Sequence, residues 1–275
     1  MVYSLQSTLT LNNGVEMPRF GLGVFQTEVG SETENAVRWA LEAGYRHIDT
    51  VALYRNEAEV GKIVRAGIVP REDVFVTSKI WFSDFGYDEA KKAFDTSMER
   101  LGFDYLDLYL IHWPVNDWQG TWRAMEDLYR EGRIKAIGVS NFLVHHLKEL
   151  LDLAEVAPAV NQFEFHPYLQ QPDLQTFCRE NNIAITAWAP IMKGRVLEVP
   201  KLVELGEKHG KTAVQVTLRW TLQKDIITIP KSAHKQRIED NANIFDFELT
   251  DDDMAAIDAL DKGERIGPHP DTIGQ

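Results

Sequence analysis

The sequence alternates eight times between a short β-rich run and a longer segment whose apolar residues recur at helical spacing. The β-rich runs are FGLGVF, HIDTV, VFVTSKI, YLDLYLIH, IKAIGVSN, AVNQFEF, AITAWAP and DIITIP. Between them, apolar residues three and four apart, as at Ala36, Val37, Ala40 and Leu41, indicate amphipathic helices. This alternation favours a fold built from parallel βα units.

Signals at the helix ends support the same division of the chain. Ser31 followed by Glu34, and Thr250 followed by Asp253, have the spacing of a capping box, so we expect each pair to begin a helix. Helices are predicted to stop at three glycines, which are Gly44, Gly102 and Gly132.

The length and continuity of the chain favour a closed barrel. Its 275 residues suit one α/β barrel, a fold that typically takes about 250 residues. The alternative is an open, doubly wound sheet, which normally carries G-x-G-x-x-G after its first strand, but GLGVFQ at 21–26 lacks the third glycine. The prediction is therefore α/β, a (β/α)8 TIM barrel with an N-terminal β-hairpin and additional C-terminal helices, forming a single domain over residues 1–275.

The N-terminal hairpin is predicted from the segment STLTLNNGVEMPRFG. Apolar and polar residues alternate on both sides of Asn12, Asn13 and Gly14, which is a hairpin turn signal. Because the hairpin precedes the first barrel strand, we expect it to close the bottom of the barrel.

Charge and composition limit the classes of binding partner and the cellular location that we expect. A formal net charge of −13 and a pI near 5.1 disfavour polyanionic partners such as nucleic acids and acidic membranes. Cys178 is the sole cysteine and has no intrachain partner, the N-terminus lacks the pattern of a secretion signal, and no apolar run approaches the ~20 residues of a membrane span. We therefore expect a cytoplasmic protein.

Four chemically active side chains lie at predicted strand ends. Asp49 and Tyr54 flank the end of the second run, Lys79 lies near the end of the third, and His112 ends the fourth. Each has an ordinary structural explanation when taken alone, as a turn or cap, a space-filling ring, a solvated cation or a core histidine. In a barrel, however, the carboxyl ends of the strands converge on one face, so these four side chains would share a pocket.

Together the four residues suit carbonyl reduction. A phenol titrates near pH 10 and is a poor proton donor at neutrality unless a nearby cation favours its phenolate, which Lys79 could do for Tyr54. Asp49 would keep Lys79 charged and in position, and His112 would donate a second hydrogen bond to a carbonyl oxygen.

The sequence resembles the aldo-keto reductase family over nearly its whole length. The matching motifs, in family order, are GYRHIDTVALYRNEAEVG, VTSKIWFSD, LDLYLIHWP, IGVSNF, VNQFEFHP and IPKS. The likeness is to the microbial branch related to prostaglandin F synthases and 2,5-diketo-D-gluconate reductases. It implies NADPH-dependent reduction of aldehydes and ketones by a monomer, with Tyr54 as proton donor, Lys79 and Asp49 supporting it, and His112 orienting the substrate.

The resemblance also implies a binding site for NADP(H) without a glycine-rich motif. Ser140, Asn141 and Gln162 would contact the carboxamide, and Trp188 would stack on the nicotinamide ring, although Trp188 could equally be a core residue. Lys231, Ser232 and Arg237 match the clamp on the 2′-phosphate, for which arginine and lysine are suited by charge and directed donors. The full predicted cofactor set is Ser140, Asn141, Gln162, Trp188, Lys231, Ser232, Arg237 and Asn241. A basic loop is otherwise usually a solvated face.

Aromatic residues near the same strand ends predict the walls of the substrate pocket. Phe25, Trp81 and Trp113 are the predicted substrate-binding residues, with Phe82 and Trp118 nearby. Such walls favour apolar or aromatic carbonyls. The short tail, residues 264–275, predicts an open pocket and a broad range of small carbonyl substrates.

Some positions depart from the family pattern. Arg55 adjoins the predicted proton donor, and we expect it to pair with Glu57 or Glu59, with binding of an anionic substrate as the alternative. Lys193 could place a charge near the cofactor phosphates or only face solvent. Asp240 stands where the family usually has a glutamate that contacts the adenine, and the shorter aspartate side chain has less reach toward that contact.

Two other classes of function have weaker support. Some family members are channel subunits or lens proteins, but the four catalytic residue types are all present here. A metal-dependent barrel hydrolase would need ligands among His112, His145, His146 and His166, which lack short ligand spacing. We expect no metal site, and we expect the adjacent His145 and His146 to point apart on a helix.

Overall fold

The computed structural model describes residues 3–115 and 117–273. Strands β3 to β10 form one parallel sheet in chain order. The strands are β1 Thr8–Thr10, β2 Glu16–Pro18, β3 Leu22–Gly23, β4 His47–Asp49, β5 Phe75–Ile80, β6 Leu106–Ile111, β7 Ile134–Ser140, β8 Val160–Glu164, β9 Ala184–Trp188 and β10 Ile227–Thr228. Parallel bridges between Phe20 and Thr228 and between Gly23 and Lys231 join the last strand to the first. The predicted eight-stranded barrel is confirmed.

Helices cover the outside of this sheet and follow its strands in sequence. They are α1 Ser31–Glu42, α2 Glu57–Val64, α3 Tyr87–Leu101, α4 Trp118–Arg130, α5 Val144–Leu153, α6 Pro172–Glu180, α7 Pro200–His209, α8 Ala213–Gln223, α9 Lys235–Ala242 and α10 Asp251–Asp258. Short 3₁₀ turns span Ala52–Tyr54, Arg71–Asp73, Phe82–Asp84 and Met192–Glu198. Helices α9 and α10 follow the last strand, as predicted.

The predicted helix ends are mostly correct. Thr250 and Asp253 form the expected capping box at the start of α10, and the three predicted stop glycines all have positive φ. The capping box predicted for Ser31 is wrong. Gly30, at φ 95, is the N-cap of α1, and its carbonyl accepts the Glu34 N–H. Ser31 is therefore already inside the helix, where its side chain caps nothing.

The N-terminal hairpin closes the bottom of the barrel, as predicted. Leu11 and Met17 are buried in a cluster with side chains from the barrel strands, including Leu108, Val160 and Ile227. The plug adds hydrogen bonds at its rim, where the Asn12 side chain donates to the Pro158 carbonyl at 3.0 Å. Burial of such apolar surface contributes about 25 cal/mol per Å² to stability.

A second apolar cluster, apart from the one at the barrel bottom, lies between the sheet and the surrounding helices. Its largest fully buried side chains include Trp122 and Trp220. Within the described residues, none of the helices has both the length and the apolar character that a membrane crossing requires.

Candidate active site

A fully buried ion pair lies at the carboxyl end of the barrel. Lys79 on β5 donates to the Asp49 carboxylate at 2.6 Å and to the Thr50 carbonyl at 2.9 Å. Both side chains are almost completely shielded from solvent. Burial lowers the pKa of Lys79, whereas the charge of Asp49 opposes that change. An ammonium has three donors, so the third N–H of Lys79 has no partner among the described residues.

Tyr54 is the last residue of the 3₁₀ turn that follows β4. Its ring is partly buried and lies 5.1 Å, centroid to centroid, from the ring of Phe25. Burial raises the pKa of the phenol far above its usual value, and the nearby Asp49 carboxylate raises it further. The expected lowering of this pKa by Lys79 is not found; Lys79 gives its two described hydrogen bonds to Asp49 and Thr50. Tyr54 therefore carries its proton at neutral pH.

His112 follows β6 and lies between two indole rings. Trp81 makes an edge contact at 5.1 Å between ring centroids, and Trp113 stacks at 6.0 Å. Burial, and then the charge of Lys79, hold the pKa of His112 well below its usual value. The ring is therefore neutral at pH 7, with one N–H to donate. Its Nδ1 is buried without a described partner, which leaves Nε2 as the accessible ring nitrogen.

The side chains predicted to hold the carboxamide form one hydrogen-bonded network. Gln162 donates its amide nitrogen to Asp49 Oδ2 at 2.8 Å, and the Ser140 hydroxyl donates to the Gln162 carbonyl at 2.7 Å. Asn141 donates to the His112 carbonyl at 3.0 Å and accepts from Trp188 Nε1 at 2.7 Å. The network thus connects the ends of four barrel strands with the ion pair.

The basic loop after β10 lies at the same end of the barrel. Ser232 is buried, and its hydroxyl accepts the backbone N–H of His234 at 3.1 Å. Asn241 on α9 is also buried, whereas Lys231 and Arg237 are exposed. Neither cation has a carboxylate partner among the described residues. Their side chains are therefore available to an anion.

Aromatic rings surround the pocket, but not all of the expected ones face it. Phe25 is 42% exposed at the rim, and Trp113 is only 6% exposed. Trp81 is partly buried and packs on Phe82, with ring centroids 4.2 Å apart. Trp118 is only 4% exposed and makes an edge contact with Phe142. Trp118 is thus a core residue at the start of α4.

Sequence reasoning missed Glu164, the last residue of β8. This fully buried carboxylate accepts the N–H of Ile266 at 2.6 Å and the N–H of Gly267 at 3.3 Å. Gly267 in turn packs on Trp188 so closely that an added Cβ would lie 2.4 Å from Cη2 of the indole. The acidic residue in the apolar strand-end motif VNQFEFHP was the available signal. It ties the C-terminal tail to the predicted nicotinamide platform.

The expectation that His145 and His146 point apart is wrong. Their ring centroids are 3.9 Å apart, and both Nε2 atoms lie close to Asp271, at 3.1 and 3.4 Å. The Leu143 N–H donates to Nδ1 of His146, so in the neutral ring Nε2 carries the proton. With Asp271 the two rings form a cluster whose ligand-type atoms all lie within 4.8 Å of one another. The contact joins the tail to the start of α5.

The expected pairing of Arg55 with a neighbouring acid is also wrong. Glu57 is fully buried and accepts from the Ser78 hydroxyl at 2.6 Å, with Arg100 at 3.4 Å. Glu59 makes no contact with Arg55 among the described residues, and its Oε2 is buried without a described partner. Arg55 remains exposed at the mouth of the barrel.

Comparison with known proteins defines the chain in two steps. Polar and ionisable groups gathered at the carboxyl ends of barrel strands are typical of α/β-barrel enzymes, whose active sites lie at that face. Within this class, the chain belongs to the Aldo/keto reductase family, whose model matches residues 19–262.

Individual relatives agree with this assignment. Glyoxal reductase of Bacillus subtilis (strain 168) is 54% identical over 274 residues, which cover 99% of each chain. An aldo-keto reductase from a Medee basin deep-sea metagenome library superposes with a TM-score of 0.95 at 44% identity, covering 98% of this chain and 100% of its own. A Bombyx mori aldo-keto reductase in complex with NADP superposes with a TM-score of 0.89 at 36% identity, covering 96% of this chain and 95% of its own.

Proposed function

We propose that this chain reduces small aldehydes and ketones with NADPH, converting the carbonyl compound, NADPH and a proton into an alcohol and NADP⁺. The observation that carries the proposal is the buried Asp49–Lys79 pair at a barrel mouth that also holds Tyr54 and His112. A buried ion pair is costly to maintain. It is therefore better explained by chemistry at the mouth than by stability alone.

Tyr54 is the proposed general acid. Its phenol carries a proton at neutral pH, and burial raises its pKa, so proton transfer requires that the phenolate left behind be stabilised. The free third donor of Lys79 is available for this. Asp49 holds Lys79 charged and in position. These three residues thus act as one unit that delivers a proton to the carbonyl oxygen.

His112 orients the substrate in this proposal. Its ring is neutral because burial and Lys79 lower its pKa, so its accessible Nε2 donates a hydrogen bond without competing for the proton of Tyr54. Two donors on one oxygen polarise the carbonyl and stabilise the charge that develops on it. Phe25, Trp81 and Trp113 form the apolar wall around the rest of the substrate.

The residues at the mouth fit NADP(H), which when bound supplies the hydride to the carbonyl carbon. Lys231 and Arg237 have no carboxylate partner among the described residues in a chain of net charge −13, and Lys193 is likewise unpaired and exposed. Unpaired cations at this face suit a phosphate-bearing ligand. We assign Lys231, Ser232 and Arg237 to the 2′-phosphate and Asn241 to the adenine end.

The hydrogen-bond network supports placing the nicotinamide at this end of the groove. Gln162 commits its amide nitrogen to Asp49, so its Oε1 is free to accept a carboxamide N–H. Ser140 and Asn141 border the same position. Trp188 is fixed at its Nε1 by Asn141 and presents its ring as the stacking surface.

The first experiment follows NADPH absorbance, and separately NADH, with a panel of aliphatic and aromatic aldehydes for the native chain and Tyr54→Phe. We expect preferential NADPH oxidation by the native chain. The variant should lose about 10²- to 10⁴-fold in kcat while NADPH affinity stays nearly unchanged. A near-native rate in the variant would remove Tyr54 from the mechanism. NADPH binding without turnover by the native chain would instead favour a sensor or structural protein.

We also propose a single-domain monomer that works in the cytoplasm, as supported by the acidic composition and the single buried cysteine. Light scattering during size-exclusion chromatography measures the mass directly. A mass twice 31.4 kDa would contradict the monomer.

A further inference from the structure

A few cationic side chains have no hydrogen-bond, ion-pair or ring partner within residues 3–115 and 117–273. They are Arg38, Arg55, Lys92, Arg123, Lys193, Lys231 and Arg237. Arg38, Lys92 and Arg123 lie on helices α1, α3 and α4. The other four lie on loops, or on the helix α9, that follow the carboxyl ends of barrel strands. Unpaired positive charge therefore gathers at the mouth of an acidic protein.

Three of these four mouth cations are accounted for by the cofactor phosphates, and Arg55 is not. Arg55 follows the proposed proton donor Tyr54 directly in the chain, on the loop after the second barrel strand. Lys231 and Arg237 follow the eighth barrel strand, and Lys193 follows the seventh. Arg55 is thus the unpaired mouth cation that adjoins the proposed proton donor in the chain.

The backbone of Arg55 is held firmly although its side chain is exposed. Its φ is 58°, in the left-handed region, and its N–H donates to the Ala52 carbonyl at 3.1 Å. The next residue, Asn56, is fully buried and donates to the Val24 carbonyl and the Thr27 hydroxyl, both at 3.1 Å. A non-glycine residue takes this conformation at a cost in free energy, so the surrounding loop imposes it. The loop therefore presents a free guanidinium from a fixed position.

The neighbouring acids do not neutralise this guanidinium. Glu57 points inward to Ser78, and Glu59 makes no described contact with Arg55. An arginine fork binds a carboxylate through two parallel hydrogen bonds. The side chain is thus free to bind an acid supplied from outside the chain.

We propose that Arg55 is a specificity-determining residue that binds the carboxylate of carbonyl substrates bearing one, while their carbonyl oxygen lies at Tyr54. This inference rests on the proposed carbonyl reduction. It assigns a substrate class, aldehydes and ketones with a carboxylate at the far side of the molecule, and places the selecting charge outside the catalytic unit.

The test compares benzaldehyde with 3- and 4-carboxybenzaldehyde, which share the ring and the reacting group. In Arg55→Ala, kcat/KM for the better carboxylated aldehyde should fall about 10- to 100-fold, chiefly through KM, as expected for loss of a hydrogen bond between charged groups. The value for benzaldehyde should stay within about twofold. Arg55→Lys keeps the charge but loses the fork, so its loss should be intermediate.

Arg123→Ala is the matched control, since Arg123 is also exposed and unpaired but lies on the outer helix α4. It should leave both substrates unaffected. Equal losses in Arg55→Ala and Arg123→Ala would show a general charge effect and overturn the proposal. An unchanged preference in Arg55→Ala would overturn it as well.

A binding measurement keeps this test separate from the proposed reaction. Tryptophan fluorescence reports binding of the product, 4-(hydroxymethyl)benzoate, in the presence of NADP⁺. Weaker binding to Arg55→Ala supports the carboxylate site even if the native chain reduces no aldehyde, an outcome that would refute only the proposed reaction. Equal binding to the native chain and the variant would refute the site.

Discussion

The two ends of the short strand β4, one toward the barrel bottom and one toward its mouth, hold their buried polar side chains in different ways. At its lower end, buried His47 bonds Thr77 at 3.0 Å, and burial lowers its pKa to about 4, so it is neutral at pH 7. At its upper end, buried Asp49 keeps a charged partner in Lys79. His47 is thus held as a neutral ring. Asp49 is held as one half of a buried ion pair, which is the costlier arrangement and indicates function.

Backbone strain shows the same asymmetry. Non-glycine residues with left-handed φ at the bottom loops are Asn182 and Asp225, which are types that tolerate this conformation. At the mouth, the left-handed residues are Gln26, Arg55, Asn141, Gln171, Ala189, Met192 and Lys193. Most of these side chains gain nothing locally from a positive φ, so the surrounding loops impose it. The mouth is built to hold positions, whereas the bottom is built to be stable.

The largest predicted effect comes from removing the negative charge of Asp49 at the mouth. Asp49→Asn should lower kcat about 10²- to 10⁴-fold, because Lys79 loses the carboxylate that keeps it charged. It should also lower the free energy of unfolding by about 3 to 5 kcal/mol, since Lys79 is left buried without its ion-pair partner. Steady-state kinetics and urea unfolding measure the two quantities.

The double variant Asp49→Asn with Lys79→Met sharpens this result. Removing both charges should restore much of the stability but none of the activity. Recovery of activity in the double variant would contradict a catalytic role for the pair.

The next effect should appear only in stability, from a change at the bottom. Met17 is fully buried in the plug, so Met17→Ala should lower the free energy of unfolding by about 2 to 5 kcal/mol. Its kcat should stay close to native at a temperature where the protein is folded. Leu9→Ala, at a partly buried position on the same hairpin, should cost less. A large kcat loss in folded Met17→Ala would show that the two ends are coupled.

A smaller decrease in the free energy of unfolding is expected at acidic pH. The pKa of His47 is about 4 in the folded chain against 6.5 ordinarily, so between those values the unfolded chain binds a proton that the folded chain resists. Stability should therefore fall as the pH drops through this window. From pH 7 to pH 5 the loss from His47 should be about 1 to 2 kcal/mol.

Urea midpoints at both pH values, for the native chain and His47→Gln, isolate this contribution. The variant should show the smaller decrease. The pKa of His146 is also lowered to about 4, by burial and by His145, so part of the stability loss between pH 7 and pH 5 should remain in both chains. Equal stability losses in the two chains would mean that His47 is protonated in the folded state as easily as in the unfolded state.

The smallest effect should come from the tail at the mouth. The methyl group in Gly267→Ala would lie 2.4 Å from the Trp188 ring, so the indole must move. NADPH affinity should weaken about fivefold, equivalent to about 1 kcal/mol. Gly263→Ala is the control on the same tail, where an added Cβ meets open space. Unchanged affinity in Gly267→Ala would separate Trp188 from cofactor binding.

Much of this architecture was predictable because its signals are local. Strand runs, helical periodicity, the Thr250 cap and the Asn12–Gly14 hairpin each depend on residues close in sequence, where side-chain spacing determines the structure. Asp49, Tyr54, Lys79 and His112 were chosen from their positions at predicted strand ends, and the family resemblance implied the same four. The alternation of strands and helices then implied that these residues share one face of a barrel.

Tertiary structure decided whatever depended on distant partners. Glu164 and Gly267 meet across 103 residues of sequence, so periodicity could not reveal that the tail fixes Trp188. Burial, which only the folded chain has, raises the pKa of Tyr54 and lowers the pKa values of His112 and His47. Arg55 was expected to pair with its sequence neighbours, but packing turned Glu57 inward. Sequence by itself determined the order of the strands and helices and the residue types at the strand ends. Long-range packing determined the charges and the hydrogen-bond partners of those residues. The physical reason is that both the charges and the partners depend on solvent exclusion and on contacts between residues distant in sequence.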